Sequence, residues 1–198
     1  MDDLNIDYFY QKFFMKFRSF LLTASALFLF SAIHAQRGPL SADEIMQEAY
    51  QQAAKEKKNV IVIFHASWCV WCHRMDSSMN DESCKKFFDD NFVVRHLVVN
   101  ESNDKKNLEN PGADEFRAKY NGDKQGIPFW LIFDKNGNLL GDSQMRAEGA
   151  GLDARGVNIG CPASASEVDA FVKLLKKTSK LSPKQQAAIE TRFRQNEH

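Results

Sequence analysis

The stretch Val60-Ile61-Val62-Ile63-Phe64-His65-Ala66-Ser67-Trp68-Cys69-Val70-Trp71-Cys72-His73 decides how the rest of the chain is read. Its first five residues are continuously apolar and bounded by polar ones. That pattern predicts a strand buried on both faces, as in the middle of a parallel or mixed sheet. A helix should begin near Cys69 and run past Met75. Two residues between the cysteines then bring both sulfurs within bonding distance across one turn. A thiol at a helix N-terminus meets the positive end of the helix dipole and unpaired N–H groups, which favour thiolate. Cys69 is therefore expected to be the exposed nucleophile. Cys72, a turn further in, would resolve the mixed disulfide.

Three chemistries fit such a pair. Strand, Trp-Cys-x-x-Cys, helix and a later proline before another strand point to thiol–disulfide exchange. A zinc site would want a second pair at similar spacing, and Cys84 and Cys161 do not form one. Cys69-Val70-Trp71-Cys72-His73 also matches the C-x-x-C-H haem-attachment pattern, although haem domains of that type are mainly helical and this motif follows a strand. No metal or organic cofactor is expected.

Outward from the motif, the chain alternates. Ser41-Ala42-Asp43-Glu44 is a capping box, and Met46, Ala49, Tyr50 and Ala53 follow at helical spacing. A further turn of helix from Asp81 places Cys84, Phe87 and Phe88 on one face, so Cys84 reads as a buried thiol. A bridge between Cys84 and Cys161 rests only on both being left over. Phe92–Val99 is the next strand, Asn100–Asn110 a loop, and Ala113–Tyr120 a short helix with Phe116 and Tyr120 inward. Phe129–Phe133 is a third buried strand, introduced by Gly126-Ile127-Pro128. The Asn136-Gly137 turn signal returns the chain as a hairpin from Leu139. Ala147–Gly160, rich in glycine and without period, reads as an exposed loop. Capping signals at Ser164-Ala165-Ser166-Glu167 and at Ser182-Pro183 with Gln185 open a core helix and a polar terminal one. The order predicts an α/β sandwich with helices on both faces of a central sheet.

The ends and composition bound the setting. Lys16 and Arg18 precede an apolar run, Phe20–Ile33, that ends at His34-Ala35. This is the layout of a secretory signal peptide, with Met15 as the expected start and cleavage after Ala35. The run is shorter than the roughly 20 residues that span a bilayer, so no stable membrane anchor is expected after cleavage. An uncleaved anchor is the alternative. Removing residues 1–35 takes away three acids and three bases, leaving 23 of each sign in 163 residues. A neutral balance gives no support for a nucleic-acid partner. The expected location is outside the cytoplasm, periplasmic or secreted, where a close cysteine pair can cycle or stay bridged.

Ser67-Trp68-Cys69-Val70-Trp71-Cys72, followed by Ile127-Pro128 ahead of Phe129–Phe133, resembles the thioredoxin superfamily over about residues 59–177. It is most similar to the exported thioredoxin-like group that includes the C-terminal reductase domain of DsbD-type proteins. The resemblance implies a three-layer sandwich around a central mixed sheet, occupying residues 36–198 with a polar C-terminal helix. It implies that Pro128 is cis and stands opposite the cysteines, and that Ile127 offers backbone groups to a substrate peptide. Disulfide-containing exported proteins would be substrates, and a membrane thiol relay the electron source. Isoleucine before the proline resembles reducing members. Trp68 and Trp71 flank the nucleophile as an apolar rim for substrate.

In two respects the chain departs from the family pattern. Thioredoxins carry a buried acid six residues before the first cysteine, and Ile63 stands there. His65 and His73 are the nearest titratable candidates for a proton relay, each weighed against a plain packing role. The intervening pair Val70-Trp71 is also unlike known redox types. A redox-inactive peptide-binding platform is the competing function.

Overall fold

In a computed structural model, residues 38–197 are described, and the chain from Pro39 onward forms one compact unit. The leader and its cleavage site lie outside the described residues. Helix α1 (Ala42–Glu56) starts at the expected capping box: Ser41 Oγ accepts from Glu44 N–H, and the Glu44 carboxylate accepts from Ser41 N–H. Strand β1 (Asn59–His65) follows, then α2 (Val70–Met79), α3 (Lys85–Asn91) and β2 (Phe92–Val98). After them come a 3-10 helix (Asn103–Leu108), α4 (Ala113–Ala118), β3 (Phe129–Phe133) and β4 (Leu139–Asp142). Two short strands, β5 (Gln144–Met145) and β6 (Val157–Asn158), precede α5 (Ala165–Thr178) and α6 (Pro183–Arg194).

The sheet order is β2-β1-β3-β4, with β1 and β2 parallel and the other pairs antiparallel. It is the expected mixed sheet, with helices on both faces. Its central strands explain the unbroken apolar runs. Val60, Val62 and Phe64 of β1, with Phe129, Leu131 and Phe133 of β3, pack on Ala42, Met46, Ala49 and Ala53 of α1. Ile61 and Ile63, with Trp130 and Ile132, face the other way. They meet Met75 and Met79 of α2, Phe88 of α3, and Val168, Phe171 and Leu175 of α5. Each such fully buried side chain contributes roughly 1.5–3 kcal/mol, so a strand with two dry faces needs no polar residue.

Three segments differ from expectation. The Asn100–Asn110 stretch contains the 3-10 helix rather than pure loop. The terminal helix α6 is polar in composition, yet Ile189 and Phe193, four apart and therefore on one face, are buried in the core beside α5. Within Ala147–Gly160, β6 pairs antiparallel with β5 to make a two-stranded ribbon. The ribbon's base is an ion pair, not an apolar contact. Arg146 donates to both carboxylate oxygens of Asp142, at 2.6 and 2.8 Å, and to the carbonyls of Leu152 and Ala154. Both charged side chains are nearly dry, at 8% and 1% exposed. The Asn-Gly signal holds: Gly137 takes φ +83° in the β3–β4 turn, which Asp134 ties down through Asn136 and Asn138 N–H.

Candidate redox site

Strand β1 runs out at His65, and the chain crosses the sheet's end through Ala66-Ser67-Trp68 before α2 begins. Cys69 is the N-cap of α2: the Cys72 N–H donates to its Sγ at 3.1 Å. The backbone group that would stabilise a Cys69 thiolate is therefore already aimed at that sulfur. Cys69 and Cys72 are joined as a disulfide, their Cα atoms 5.2 Å apart. Across from them the Ile127–Pro128 peptide is cis. The Ile127 carbonyl oxygen lies 3.6 Å from Cys69 Sγ, and the Ile127 side chain packs on Ala66, Cys69 and Cys72. Pro128 is buried beneath it.

The expected contrast between an exposed Cys69 and an inner Cys72 is absent in the bridged form. Cys69 is 3% exposed and Cys72 1%. Ile127 and the helix start cover both. What the surface presents instead is apolar: Trp68, Val70 and Trp71 are 56%, 70% and 47% exposed. Trp68 is anchored by its indole N–H donating to the Asn100 carbonyl, and the Arg74 guanidinium lies 4.6 Å over the Trp71 ring.

Sequence reasoning missed the clamp behind this loop. Glu101, just past β2 and 4% exposed, accepts from Ser67 N–H at 2.5 Å and from Ser67 Oγ at 2.8 Å. The Ser67 N–H bond in particular holds the Glu101 carboxyl below its ordinary pKa. An acid in a polar loop gives no pattern that would have singled it out. The cis-proline wall has its own brace, since Asn158 of β6 donates to the carbonyls of Gly126 and Pro128.

The two histidine candidates part company. His73 is exposed, and its Nε2 donates to the Ser67 carbonyl at 3.0 Å. His65 is half-buried, with Nδ1 enclosed and without a hydrogen-bond partner among the described residues. Its ring centroid is 4.9 Å from that of His96, and His96 Nε2 is 2.8 Å from Asp76 Oδ1. Burial, and after it His96, push the His65 pKa down. Among the described residues no group of three or more His, Cys, Asp or Glu side chains is placed to hold a metal ion.

A family model described as thioredoxin-like matches residues 43–135, from α1 through β3. That match supports the thioredoxin superfamily for the stretch that holds both cysteines and the cis-proline. No curated protein matches it. Among solved structures, this thioredoxin-like chain is similar to the disulphide isomerase of Xylella fastidiosa Temecula1 at 21% identity, covering 49% of this chain and 69% of that one, with TM-score 0.40. The C-terminal domain of Neisseria meningitidis DsbD, in its oxidised form, matches at 16% identity over 71% of this chain and 98% of its own, TM-score 0.41. A DsbH oxidoreductase matches at 20% identity over 70% and 83%, TM-score 0.40.

The two remaining cysteines are free thiols buried in the same core cluster. Burial raises the Cys84 pKa and pushes Cys161 up to about 12. The native oxidised protein should therefore show essentially no thiol to a colorimetric disulfide reagent at pH 8, and two after denaturation. A native reading of one or two would contradict the burial. In the unfolded chain Cys161 ionises near 9.0, while the folded one keeps its proton to about 12. Its contribution to stability is therefore complete below pH 9 and declines above it.

Proposed function

We propose that this chain is a thiol–disulfide oxidoreductase of exported proteins, working as a reductase or isomerase. The observation that carries this is the Cys69–Cys72 pair at the start of α2, with Cys72 N–H on Cys69 Sγ and the Ile127 carbonyl opposite. In the dithiol state Cys69 thiolate attacks a substrate disulfide, breaking its S–S bond and releasing one substrate thiol. Cys72 then attacks the mixed disulfide, releases the second thiol and restores the bridge. Trp68, Trp71 and Val70 form the apolar rim on which an unfolded or strained polypeptide would rest, with Ile127 and Pro128 as the opposite wall.

The protein chemistry needs no metal or organic cofactor. Two electrons must be returned to Cys69–Cys72 each cycle, and for an exported protein a membrane thiol relay is the source that fits. Export itself rests on the Met15–Ala35 leader.

The competing function is a peptide-binding platform without turnover. It is favoured by Ile63, which is 1% exposed in an apolar cluster where thioredoxins place an acid. Cys72→Ala separates the two. An oxidoreductase so altered should accumulate mixed disulfides through Cys69 with exported proteins, visible as reductant-sensitive bands. A binding platform would retain the same proteins without a covalent link.

A further inference from the structure

Thiol–disulfide exchange at a buried pair has a proton problem. Cys72 must lose a proton before it can attack, and Ile63 leaves no carboxylate beneath it. His65 lies on the same face of β1 as Ile61 and Ile63, two residues closer to the cysteines. That face is roofed by α2, since Ile61 and Ile63 share a cluster with its Met75 and Met79. The parallel register sets Ile63 against His96, which brings the His96 ring against His65. His96 in turn binds Asp76, which stands one helical turn beyond Cys72 on α2. His65 thus lies on the sheet face that α2 covers, linked through His96 to the Asp76 turn of the helix that carries Cys72. Its enclosed Nδ1 has no partner among the described residues, which is costly for a buried polar atom unless it has a use.

The far end of this chain of groups is wet. His96 and Asp76 are 35% and 31% exposed, and they line a surface groove of about 210 Å³ with Met79, Asn80, Phe88, Asp89 and Val94. The charged and titratable neighbours of His65 are accounted for on each packed element. They are His96 from β2, Asp76 and His73 from α2, and Glu101 from the segment after β2. His73 is occupied with the Ser67 carbonyl and Glu101 with Ser67, which leaves the His96–Asp76 side as the outlet.

We infer that His65 is the proton acceptor for Cys72, and that His96, oriented by Asp76, passes the proton to solvent. This rests on the oxidoreductase proposal and supplies the base that Ile63 cannot. In the resolving step the Cys72 S–H proton moves to His65 Nδ1 as Cys72 Sγ attacks Cys69 Sγ. The Cys69–substrate S–S bond breaks and the Cys69–Cys72 bond forms. The substrate sulfur leaves with the electron pair as thiolate. The imidazolium proton travels from the other ring nitrogen through His96 to water, from which the thiolate is protonated. Burial keeps His65 neutral at ordinary pH, as an acceptor must be.

The test is a single-turnover measurement on the full reduced protein with saturating fluorogenic disulfide peptide, where the plateau rate reports resolution. His65→Gln should slow the plateau about 10–100-fold at pH 7, the range of a modest general base, and the deficit should close toward pH 10 as the thiol ionises unaided. His96→Gln and Asp76→Asn should displace the same pH profile in the same direction, by less. A His65→Gln profile superimposed on wild type from pH 6 to 10 overturns the inference. So does a deficit equal at every pH, which marks a merely structural role. Should His65→Gln fail to fold, the half-exposed His96 carries the test, and an unshifted His96→Gln profile overturns the inference. Failure of the parent proposal looks different, because the wild type itself would then show no Cys69-dependent turnover.

Discussion

Cys69→Ser is expected to reduce disulfide-reductase turnover to the level of the added dithiol alone, a loss of at least roughly three orders of magnitude. The size follows from what the site provides. Only thiolate attacks a disulfide at a useful rate, and everything around Cys69 is arranged for that one atom. Cys72 N–H is 3.1 Å from it and the Ile127 carbonyl 3.6 Å. A serine hydroxyl in the same cap would accept the same N–H bond and keep the helix start intact, so the variant should fold normally. The measurement is reduction of a disulfide-bonded test protein at fixed dithiol, with the unfolding temperature recorded alongside. Residual turnover near wild type would mean that another thiol is the nucleophile. Cys84 and Cys161, both buried, offer poor candidates.

The largest expected effect on stability lies away from the cysteines, at Arg146. Arg146→Met leaves the Asp142 carboxylate, 1% exposed, without its counter-charge in the sheet's edge. Breaking one side of a buried pair costs about 3–5 kcal/mol. In a domain of this size each kcal/mol is worth roughly 2–4 °C, so the melting temperature should fall by about 6–20 °C. Hydrogen exchange should rise across residues 147–156, because Arg146 also holds the Leu152 and Ala154 carbonyls. Pairing Arg146→Met with Asp142→Leu should recover much of the loss, since two apolar groups no longer strand a charge. If the single variant melts within a degree of wild type, the pair is not the base of the ribbon.

What the residues announced and what they concealed follow one physical rule. Val60–Phe64 and Phe129–Phe133 were legible because both faces of each strand are dry, and dryness leaves an apolar run in the sequence. Cys69 and Cys72 were legible because one helical turn fixes their spacing. The groups that escaped notice act across long sequence distances. His96 meets His65 only because β1 and β2 pair in one particular parallel register, and Glu101 reaches Ser67 across 34 residues. The ribbon escaped because an ion pair and carbonyl bonds, rather than apolar period, hold it. Phe193 escaped because two buried residues in a polar helix leave only a faint stripe. The equal burial of Cys69 and Cys72 depends on Ile127, which comes from a different part of the chain.

The hook that Asn158 throws over Gly126 and Pro128 bears on where this domain may be cut. A fragment trimmed to residues 43–135 would retain both cysteines and the cis-proline. It would discard β4, the ribbon and the two helices that cover Trp130 and Ile132. Such a piece would hold every reactive atom and lack the strut behind its own wall. For anyone grafting or shortening this scaffold, the indispensable length runs at least to Phe193, well past the cis-proline that stands opposite the cysteines.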